Sequence, residues 1–402
     1  MNKILLVAVI LLANVGLIGQ EFVLQGGSDG SDGALEVTED QTLKLPPDGI
    51  FNFTTVTISD GATLFFERNA LNTPVYLLAT DDVDISGNIN VSGADGSRFV
   101  GGKGGPGGFD GGLPGFTSDL PPGAGFGPGG GKAGLFNDRS ANGAGAGAFR
   151  TTPTQGGSTV KSTLHGETYG NPLLRPLIGG SGGGGAAGSP GVGGGGGGGA
   201  LLLGSSTKIR LFGSIFSEGG DSASGEFVDN AGSGGAIRLV APTIEGRGSV
   251  RVGGGGHSDS SEVGSNQGGA GRIRIDAFES LGAKFMSFGP STSLTAGSSV
   301  FVFPQSRLSL GIVSAAGNDI APGTEGPVRL NLPFDAPTTQ NVRLRAGNFG
   351  RVVPVSVMVT PAHGDSTEYQ AEIDNSANNP AEVEISVEIP TNVQVTLQVW
   401  TR

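Results

Sequence analysis

Residues 193–203 read GGGGGGGALLL, so a run of seven glycines leads directly into an apolar strand. Similar junctions recur where Gly234-Gly235 precedes AIRLV and where residues 268–271 (GGAG) precede RIRI. Glycine loses more conformational entropy on ordering than any other residue, so ordered glycine runs need a compensating interaction. The recurrence of these junctions favours backbone packed against backbone beside strands, in a stacked extracellular scaffold.

The composition lies between that of a disordered chain and that of a folded one. Together, 77 glycines and 23 prolines make up about a quarter of the 402 residues, near the ~25% at which low-complexity disorder becomes common. Against disorder, 36% of the residues are apolar, and they cluster in short β-branched runs that suit a core. The absence of a Gly-X-Y period excludes collagen.

Charge and cysteine content exclude several classes of function. The formal net charge is -12, and nucleic-acid binding depends on basic surface that displaces counterions, so no nucleic-acid partner is expected. The chain has no cysteine, which excludes disulfides, a thiolate nucleophile and zinc–thiolate sites. An acidic surface suits a soluble secreted protein.

The N-terminus has the pattern of a secretory signal peptide. A single lysine, Lys3, precedes a mostly apolar stretch from Ile4 to Ile18, which is short for a membrane-spanning helix of ~20 residues. We therefore predict a signal peptide over residues 1–19, secretion to the extracellular space or the cell surface, and no membrane attachment after cleavage. A retained anchor helix is the alternative.

Short strand patterns with a fixed glycine recur and predict the rungs of a right-handed β-solenoid. Three segments align on Gly87, Gly213 and Gly248, and each has apolar residues at every second position. The second glycine follows the first by 126 residues and the third follows by 35, so insertions of unequal length separate the rungs. Residues 56–65 are expected to form the first rung and residues 272–275 the last.

The longest insertion covers about residues 93–199 and consists largely of glycine runs. A structureless loop of about a hundred residues inside a compact domain would be unusual. Polyglycine-II-like helices, which repeat every three residues and expose backbone amides to their neighbours, are one interpretation. A largely disordered insertion is the other, and the sequence leaves both open. In the ordered case, five phenylalanines would serve as apolar contacts: Phe109, Phe116, Phe126, Phe136 and Phe149.

From Phe301 onward glycine becomes rarer, and strand patterns alternate with turn residues. About seven short strands in roughly a hundred residues predict an immunoglobulin-like β-sandwich over residues 306–402. The glycine-rich solenoid domain then covers residues 20–305. The expected strands include residues 328–332, 342–347, 352–360, 369–373, 381–389 and 393–400.

Four glycine motifs, in this order, resemble those of uncharacterised secreted glycine-rich bacterial proteins with β-helix-like rungs and a C-terminal immunoglobulin-like domain. The motifs are GGSDGSDGAL (26–35), GPGGFDGG (105–112), GGAIRLVAP (234–242) and GGAGRIRI (268–275). The resemblance covers most of the chain after the signal peptide and implies no activity or catalytic residue. The rung pattern is also similar to right-handed parallel β-helices, which include pectate-lyase-like enzymes and adhesins. Glycine-helix bundles are likewise known in receptor and adhesin modules.

The three histidines do not indicate a catalytic group. His257 lies near Asp259 and Glu262, which suggests a metal site or a Ser/His/Asp relay, but proximity along a loop does not set the geometry that proton transfer needs. His165 and His363 have turn-like neighbours and are expected to be solvated. The sequence therefore predicts no catalytic residue.

A carbohydrate-active enzyme, similar to the polysaccharide lyases, is the alternative function. Such an enzyme needs acidic calcium ligands on successive rungs and a nearby basic residue. We expect Asp82 and Asp84 to face outward and Asp81 to belong to a turn. Arg210 and Arg251 are expected to point outward from other rungs. Outward charges are the usual solvent side of a strand, so the sequence favours a protein that is not an enzyme.

Residues 29–33, DGSDG, resemble a fragment of a calcium loop. They lack the twelve-residue spacing and the terminal glutamate of an EF-hand. Asp29 and Asp32 are therefore weak candidate metal ligands, and calcium is the one cofactor that the sequence leaves open. Turn formation by Asp-Gly is the simpler interpretation.

The sequence favours a secreted structural or adhesive protein that forms a homo-oligomer or fibre. Both ends of a solenoid expose strand edges, which must be capped or pair with another copy. Residues 21–25 (EFVLQ) form a short apolar strand, in which Phe22, Val23 and Leu24 are the candidate assembly residues for β-strand addition. Cell-surface or matrix polysaccharide is a further expected partner. A monomeric or cell-tethered adhesin is the other form of this hypothesis.

Overall fold

The computed structural model describes residues 27–117, 119–135, 144–153, 162–188, 191–222, 230–256, 268–290, 293–303, 308–321, 324, 327–333 and 335–401. The fold is all-β, with 39% strand and 2% helix, and it contains parallel sheets. Described strands up to Gly297 pair in parallel, whereas those from Ser309 onward pair antiparallel. The predicted domain boundary at residues 305–306 lies outside the described residues and stays a prediction.

The N-terminal part of the described chain contains seventeen strands. They are β1 (Leu35–Val37), β2 (Gln41–Lys44), β3 (Ile50–Phe53), β4 (Val56–Ile58), β5 (Thr63–Glu67), β6 (Val75–Ala79), β7 (Val83–Ile85), β8 (Asn88–Asn90), β9 (Ala200–Ser205), β10 (Lys208–Leu211), β11 (Ser214–Phe216), β12 (Ala236–Val240), β13 (Thr243–Gly246), β14 (Ser249–Arg251), β15 (Arg272–Asp276), β16 (Ser287–Gly289) and β17 (Leu294–Gly297). Short 3-10 helices lie at Ser162–Leu164 and Leu281–Phe285.

These strands form three parallel sheets, and strands that follow one another along the chain belong to the three sheets in turn. The first sheet has the order β1-β4-β7-β10-β13, the second β16-β14-β11-β8-β5-β2, and the third β17-β15-β12-β9-β6-β3. The register confirms the predicted alignment of the repeated segments, because Val83 lies opposite Ile209 and Ile209 opposite Ile244. These pairs reproduce the spacings of 126 and 35 residues.

The prediction of the first and last repeats was wrong. Strands β1 to β3 precede residues 56–65, and β16 and β17 follow residues 272–275. Each of these repeats contains a strand with a weak apolar alternation and no buried residue: β2 reads QTLK and β16 reads SFG.

Alternate residues of the three sheets pack into one shared core, which contains Leu64, Leu77, Ile85, Ile209 and Ile237. The third sheet differs from the other two because both faces of its central strands, β9 and β12, are buried. All residues of β9 and β12 are buried, as expected for continuous apolar runs in a covered parallel sheet. A second apolar cluster covers the outer face of this sheet.

The C-terminal unit, residues 308–401, consists of two antiparallel sheets. Its strands are β18 (Ser309–Ala315), β19 (Asn318–Asp319), β20 (Thr339–Gly347), β21 (Val352–Pro361), β22 (Thr367–Asp374), β23 (Ala381–Glu388) and β24 (Val395–Thr401). The sheets have the orders β19-β18-β20-β23 and β22-β21-β24 and share a core that includes Leu344, Val355 and Val387.

Strand prediction in the C-terminal unit was correct except at its start. Residues 328–332 form no strand, because Pro327 and Pro333 on either side cannot donate ladder hydrogen bonds. Strands β18 and β19 were missed, since a glycine and two serines interrupt the apolar pattern of β18.

Candidate functional site

The glycine bundle, which we define as the glycine-rich segments between β8 and β9, β11 and β12, and β14 and β15, is held together by backbone hydrogen bonds. Along the run Gly193 to Gly199, every third N–H donates to the same neighbouring segment, with lengths of 2.7 to 3.1 Å. The acceptor residues are Ser97, Ala94 and Val91 in the first segment, Gly112 and Phe109 in the second, and Asn230 and Ser233 in the third. A repeat of three residues is that of a polyproline-II-type helix.

The same run accepts hydrogen bonds from three further segments. The donors are Gly102 and Gly105, Gly180 and Gly183, and Gly220, at 2.7 to 2.9 Å. The run 193–199 is therefore bonded to six neighbouring segments within the described residues. This network satisfies backbone groups that would otherwise be buried without partners, which compensates for the entropy lost on ordering glycine.

Close packing of the backbones explains why glycine occupies these positions. A Cβ atom on Gly197 would lie 2.0 Å from the carbonyl oxygen of Gly180, and one on Gly194 would lie 2.0 Å from that of Gly183. Both distances are far below van der Waals contact. Gly253 differs, since a Cβ atom there would meet only a Glu218 side-chain oxygen at 3.8 Å.

The described residues of the predicted insertion 93–199 are thus ordered. The expected role of the phenylalanines holds for Phe149, which is fully buried and packs on Tyr169 with 4.6 Å between ring centroids. It fails for Phe116, which is 45% exposed. Phe136 lies outside the described residues.

Asp29 and Asp32, the candidate calcium ligands, accept hydrogen bonds from the chain itself. Asp29 Oδ1 accepts the N–H of Ser31 at 3.0 Å, and Asp32 Oδ2 accepts the N–H of Asn52 at 2.6 Å. The hydrogen bonds from Ser31 hold the pKa of Asp29 below its ordinary value. Both carboxylates therefore serve a turn and a strand edge. The described residues contain no group of three or more metal-ligating side chains.

Two of the three acidic residues considered for a lyase, Asp82 and Asp84, are paired with basic side chains. Arg210 Nη2 donates to Asp84 Oδ2 at 2.6 Å and to Asp82 Oδ2 at 3.2 Å. The hydrogen bond to Asp84 raises the pKa of Arg210. Arg251, also expected to point outward, forms an ion pair with Glu218 at 3.3 Å. Sequence analysis placed these residues on different repeats but did not pair them.

The expectation that His165 and His363 are solvated was wrong. His165 is half buried, its Nδ1 accepts the N–H of Ala146 at 3.1 Å, and burial lowers its pKa. Nδ1 of His363 lies 2.7 Å from the carbonyl oxygen of Pro121, at the contact between the C-terminal unit and the glycine bundle.

His257, Asp259 and Glu262 lie outside the described residues, as do the assembly residues Phe22, Val23 and Leu24.

Sequence analysis missed a buried ionic cluster on the outer face of the third sheet. Arg238 of β12 and Asp276 of β15 are each 1% exposed, and two nitrogens of Arg238 donate to Asp276 Oδ2 at 2.8 and 3.0 Å. Arg274 donates to Asp276 Oδ1 at 2.7 Å, and Arg238 also donates to the carbonyl oxygens of Ser299 and Phe301. The signal in the sequence was the presence of Arg238 within AIRLV and of Arg274 within RIRI.

Asp276 is the shared partner of the two arginines of this cluster. Burial raises the pKa of Asp276, but the hydrogen bonds from Arg274 and the charge of Arg238 outweigh it, so the pKa lies below its ordinary value. Burial lowers the pKa of Arg238, and the charge of Asp276 opposes this. Through the hydrogen bonds of Arg238, the cluster attaches the segment 299–301 to the third sheet.

A cleft of about 240 Å³ lies in the C-terminal unit, smaller than the ~300–1,000 Å³ of typical ligand sites. It is lined by Thr338, Val359, Pro361, Asp365, Thr367, Glu388, Ile389 and Pro390.

Among the described residues, no helix has the length and apolar character needed to cross a bilayer.

Comparison with known proteins gave no similarity from which to assign a family. No protein-family model, no curated protein and no solved structure matches the chain.

Proposed function

We propose that this protein is a secreted structural or adhesive scaffold that assembles into a fibre or surface layer by β-strand addition. The observation that carries the proposal is the run Gly193 to Gly199, bonded to six neighbouring segments at positions where a single methyl group would collide with backbone. Such packing produces shape and stiffness without using side-chain chemistry.

We infer that the finer architecture is a right-handed β-solenoid that carries polyglycine-II-like helices and is followed by an immunoglobulin-like sandwich. The rotation of the chain through three parallel sheets supports the solenoid. Its hand follows from the right-handed crossovers that join nearly all parallel strands. The repeat of three residues in the glycine bundle and the two antiparallel sheets with a shared core support the other two elements.

Electron microscopy of the secreted protein tests the proposal. We expect filaments or a continuous layer from the intact chain, and separate particles after deletion of residues 21–25. Thermal unfolding of the deletion variant and of the intact chain separates a loss of assembly from a loss of the fold. Single particles from the intact chain at all concentrations would overturn the fibre.

The carbohydrate-active enzyme is not proposed as a second function, because no observation favours it. Incubation with acidic polysaccharides and calcium separates the two functions, since a lyase releases unsaturated products that absorb in the ultraviolet. We expect no such product.

A further inference from the structure

The two end strands of the third sheet, β3 and β17, differ in the hydrogen bonding of their outer backbone groups. At β3, the N–H groups of Ile50 and Asn52 donate to carboxylate oxygens of Asp48 and Asp32, at 3.1 and 2.6 Å. The N–H of Asp32 donates in turn to the carbonyl oxygen of Asn52 at 2.8 Å. Both N–H groups and the Asn52 carbonyl oxygen that an added strand would need are therefore already bonded, which disfavours strand addition at this edge.

At the opposite edge of the same sheet, no described residue bonds to the outer backbone groups of β17. The N–H of Ala277 donates to the carbonyl oxygen of Gly297 at 2.9 Å, so Gly297 faces β15. Backbone direction alternates along a strand, so Leu294 and Ala296 direct their N–H and C=O groups away from the sheet. Ala296 is exposed, and Leu294 is only partly buried against the core.

The neighbouring strands at this end leave apolar surface beside β17. Phe288 of β16 is also only partly buried against the shared core. The end of the first sheet, in contrast, is covered, because the N–H of Ile244 in β13 donates to the carbonyl oxygen of Glu279 at 3.0 Å. The open part of this end therefore comprises β16 and β17, with Phe288 and Leu294 at its centre.

We propose, resting on the assembly proposed above, that residues 21–25 of a second copy of this chain bind along β17 as an added parallel strand. Phe22, Val23 and Leu24 are consecutive apolar residues, so such a strand needs a sheet that is buried on both faces. Among the three sheets, only the third has strands, β9 and β12, that are buried on both faces. Strands of the first sheet instead direct polar residues such as Thr57 and Asp84 outward.

The length of the segment requires that it come from another copy. Residues 21–26 directly precede Gly27, and these six residues span at most about 22 Å when fully extended. The residues that follow Gly27 lie at β3, since Ser28 Oγ donates to the carbonyl oxygen of Phe53. Five strand spacings of ~4.8 Å, about 24 Å, separate β3 from β17. The segment of the same chain is therefore too short to reach β17 and also pair with it.

Cysteine cross-linking tests this contact cleanly, because the natural chain has no cysteine. Two variants, Leu24→Cys and Ala296→Cys, are purified separately, mixed and oxidised. Adjacent strands lie within the Cα separation that a disulfide spans, so we expect a disulfide-linked dimer of the two variants. Leu24→Cys mixed with Thr42→Cys, at the opposite end of the stack, is the control and should give little product.

A proline variant gives an independent measurement. In Ala296→Pro the removed N–H points to the open edge, so the pairing of β17 with β15 is kept while strand addition is blocked. The matched control is Thr42→Pro on β2, where the N–H of Leu45 bonded to Glu67 places the Thr42 backbone at the opposite outer edge. We expect Ala296→Pro to reduce sedimentable polymer to the level of the 21–25 deletion, and Thr42→Pro to leave it unchanged.

The outcomes separate this contact from the assembly itself. If the intact chain forms no filaments, the proposed function fails. If filaments form but Leu24→Cys does not link to Ala296→Cys, or Ala296→Pro assembles normally, only β17 as the acceptor is overturned. A link to Thr42→Cys instead would show that residues 21–25 bind at the N-terminal end of the stack.

Discussion

At the scale of single residues, the glycines of the bundle have a role that depends on position more than on composition. Gly197 and Gly253 both lie in glycine-rich segments, yet only Gly197 has a backbone oxygen where a Cβ atom would lie. Sequence reasoning recognised that glycine runs need close packing but had no means to rank the individual positions. That ranking requires the neighbouring segments, which are distant in the sequence.

Gly197→Ala is predicted to destabilise the protein by about 3 kcal/mol, the upper end of the cost of overpacking, because the displaced atoms belong to a bonded backbone network. Gly253→Ala is the control, and its unfolding free energy should stay within about 0.5 kcal/mol of the natural chain. Chemical denaturation of both variants measures the difference. Equal stabilities would contradict close backbone packing at residue 197.

The ionic cluster gives a prediction with a defined pH dependence. The pKa of Asp276 is lower in the folded chain than the value near ~3.9 expected on unfolding. The cluster therefore stabilises the fold above the unfolded pKa, and this stabilisation is lost as the pH falls through the folded pKa.

Asp276→Asn leaves Arg238 buried without its counter-charge, which should cost about 3–5 kcal/mol at pH 7. Because protonation of Asp276 has a similar effect in the natural chain, the two proteins should approach each other in stability as the pH falls below about 4. Urea unfolding at a series of pH values measures this convergence. A difference that does not change with pH would show that Asp276 acts through its shape alone.

At the scale of elements, the repeated strands could be aligned from the sequence because a glycine marks each bend. The pairs Val83–Ile209 and Ile209–Ile244 are correct to the residue. The first and last repeats were missed, and each contains a strand, β2 or β16, that is partly exposed and lacks the apolar alternation on which the alignment depends. The two-sided burial of the third sheet was visible in the sequence as the uninterrupted run ALLL.

The pair Arg210–Asp84 joins β10 to β7 and tests whether these charges are structural. Both side chains are about one-third exposed, so a double-mutant cycle with Arg210→Ala and Asp84→Ala should give a coupling energy of about 0.2–1 kcal/mol. Because the pair is solvent-accessible, the coupling should decrease in high salt. A coupling near zero at low salt would indicate that the two residues act independently.

At the scale of the whole molecule, the contact between the glycine bundle and the C-terminal unit has no signal in the sequence. The N–H of Ala124 donates to the carbonyl oxygen of Gly364 at 3.1 Å, and the N–H of Gly364 donates to that of Pro122 at 2.9 Å. The Ala133 N–H donates to Asp365 Oδ1 at 3.1 Å. These bonds join groups more than 200 residues apart, and most of the groups are backbone, so neither composition nor periodicity predicts them.

Gly123→Ala is predicted to separate the two parts of the molecule while leaving each folded. A Cβ atom at residue 123 would lie 2.4 Å from the carbonyl oxygen of Ala362, whereas its next contact within the bundle, with the nitrogen of Leu113, is an ordinary 3.4 Å. The methyl group therefore displaces the C-terminal unit and spares the bundle. We expect two separate calorimetric transitions and a larger radius of gyration in small-angle X-ray scattering.

The control for this variant is Gly311→Ala in the C-terminal unit, where a Cβ atom would meet nothing within 4 Å. It should leave both the transitions and the radius of gyration unchanged. If Gly123→Ala behaves like this control, the two parts do not depend on the contact at residues 122–124 and 362–365. A loss of the antiparallel core in Gly123→Ala would instead mean that the C-terminal unit needs the glycine bundle in order to fold.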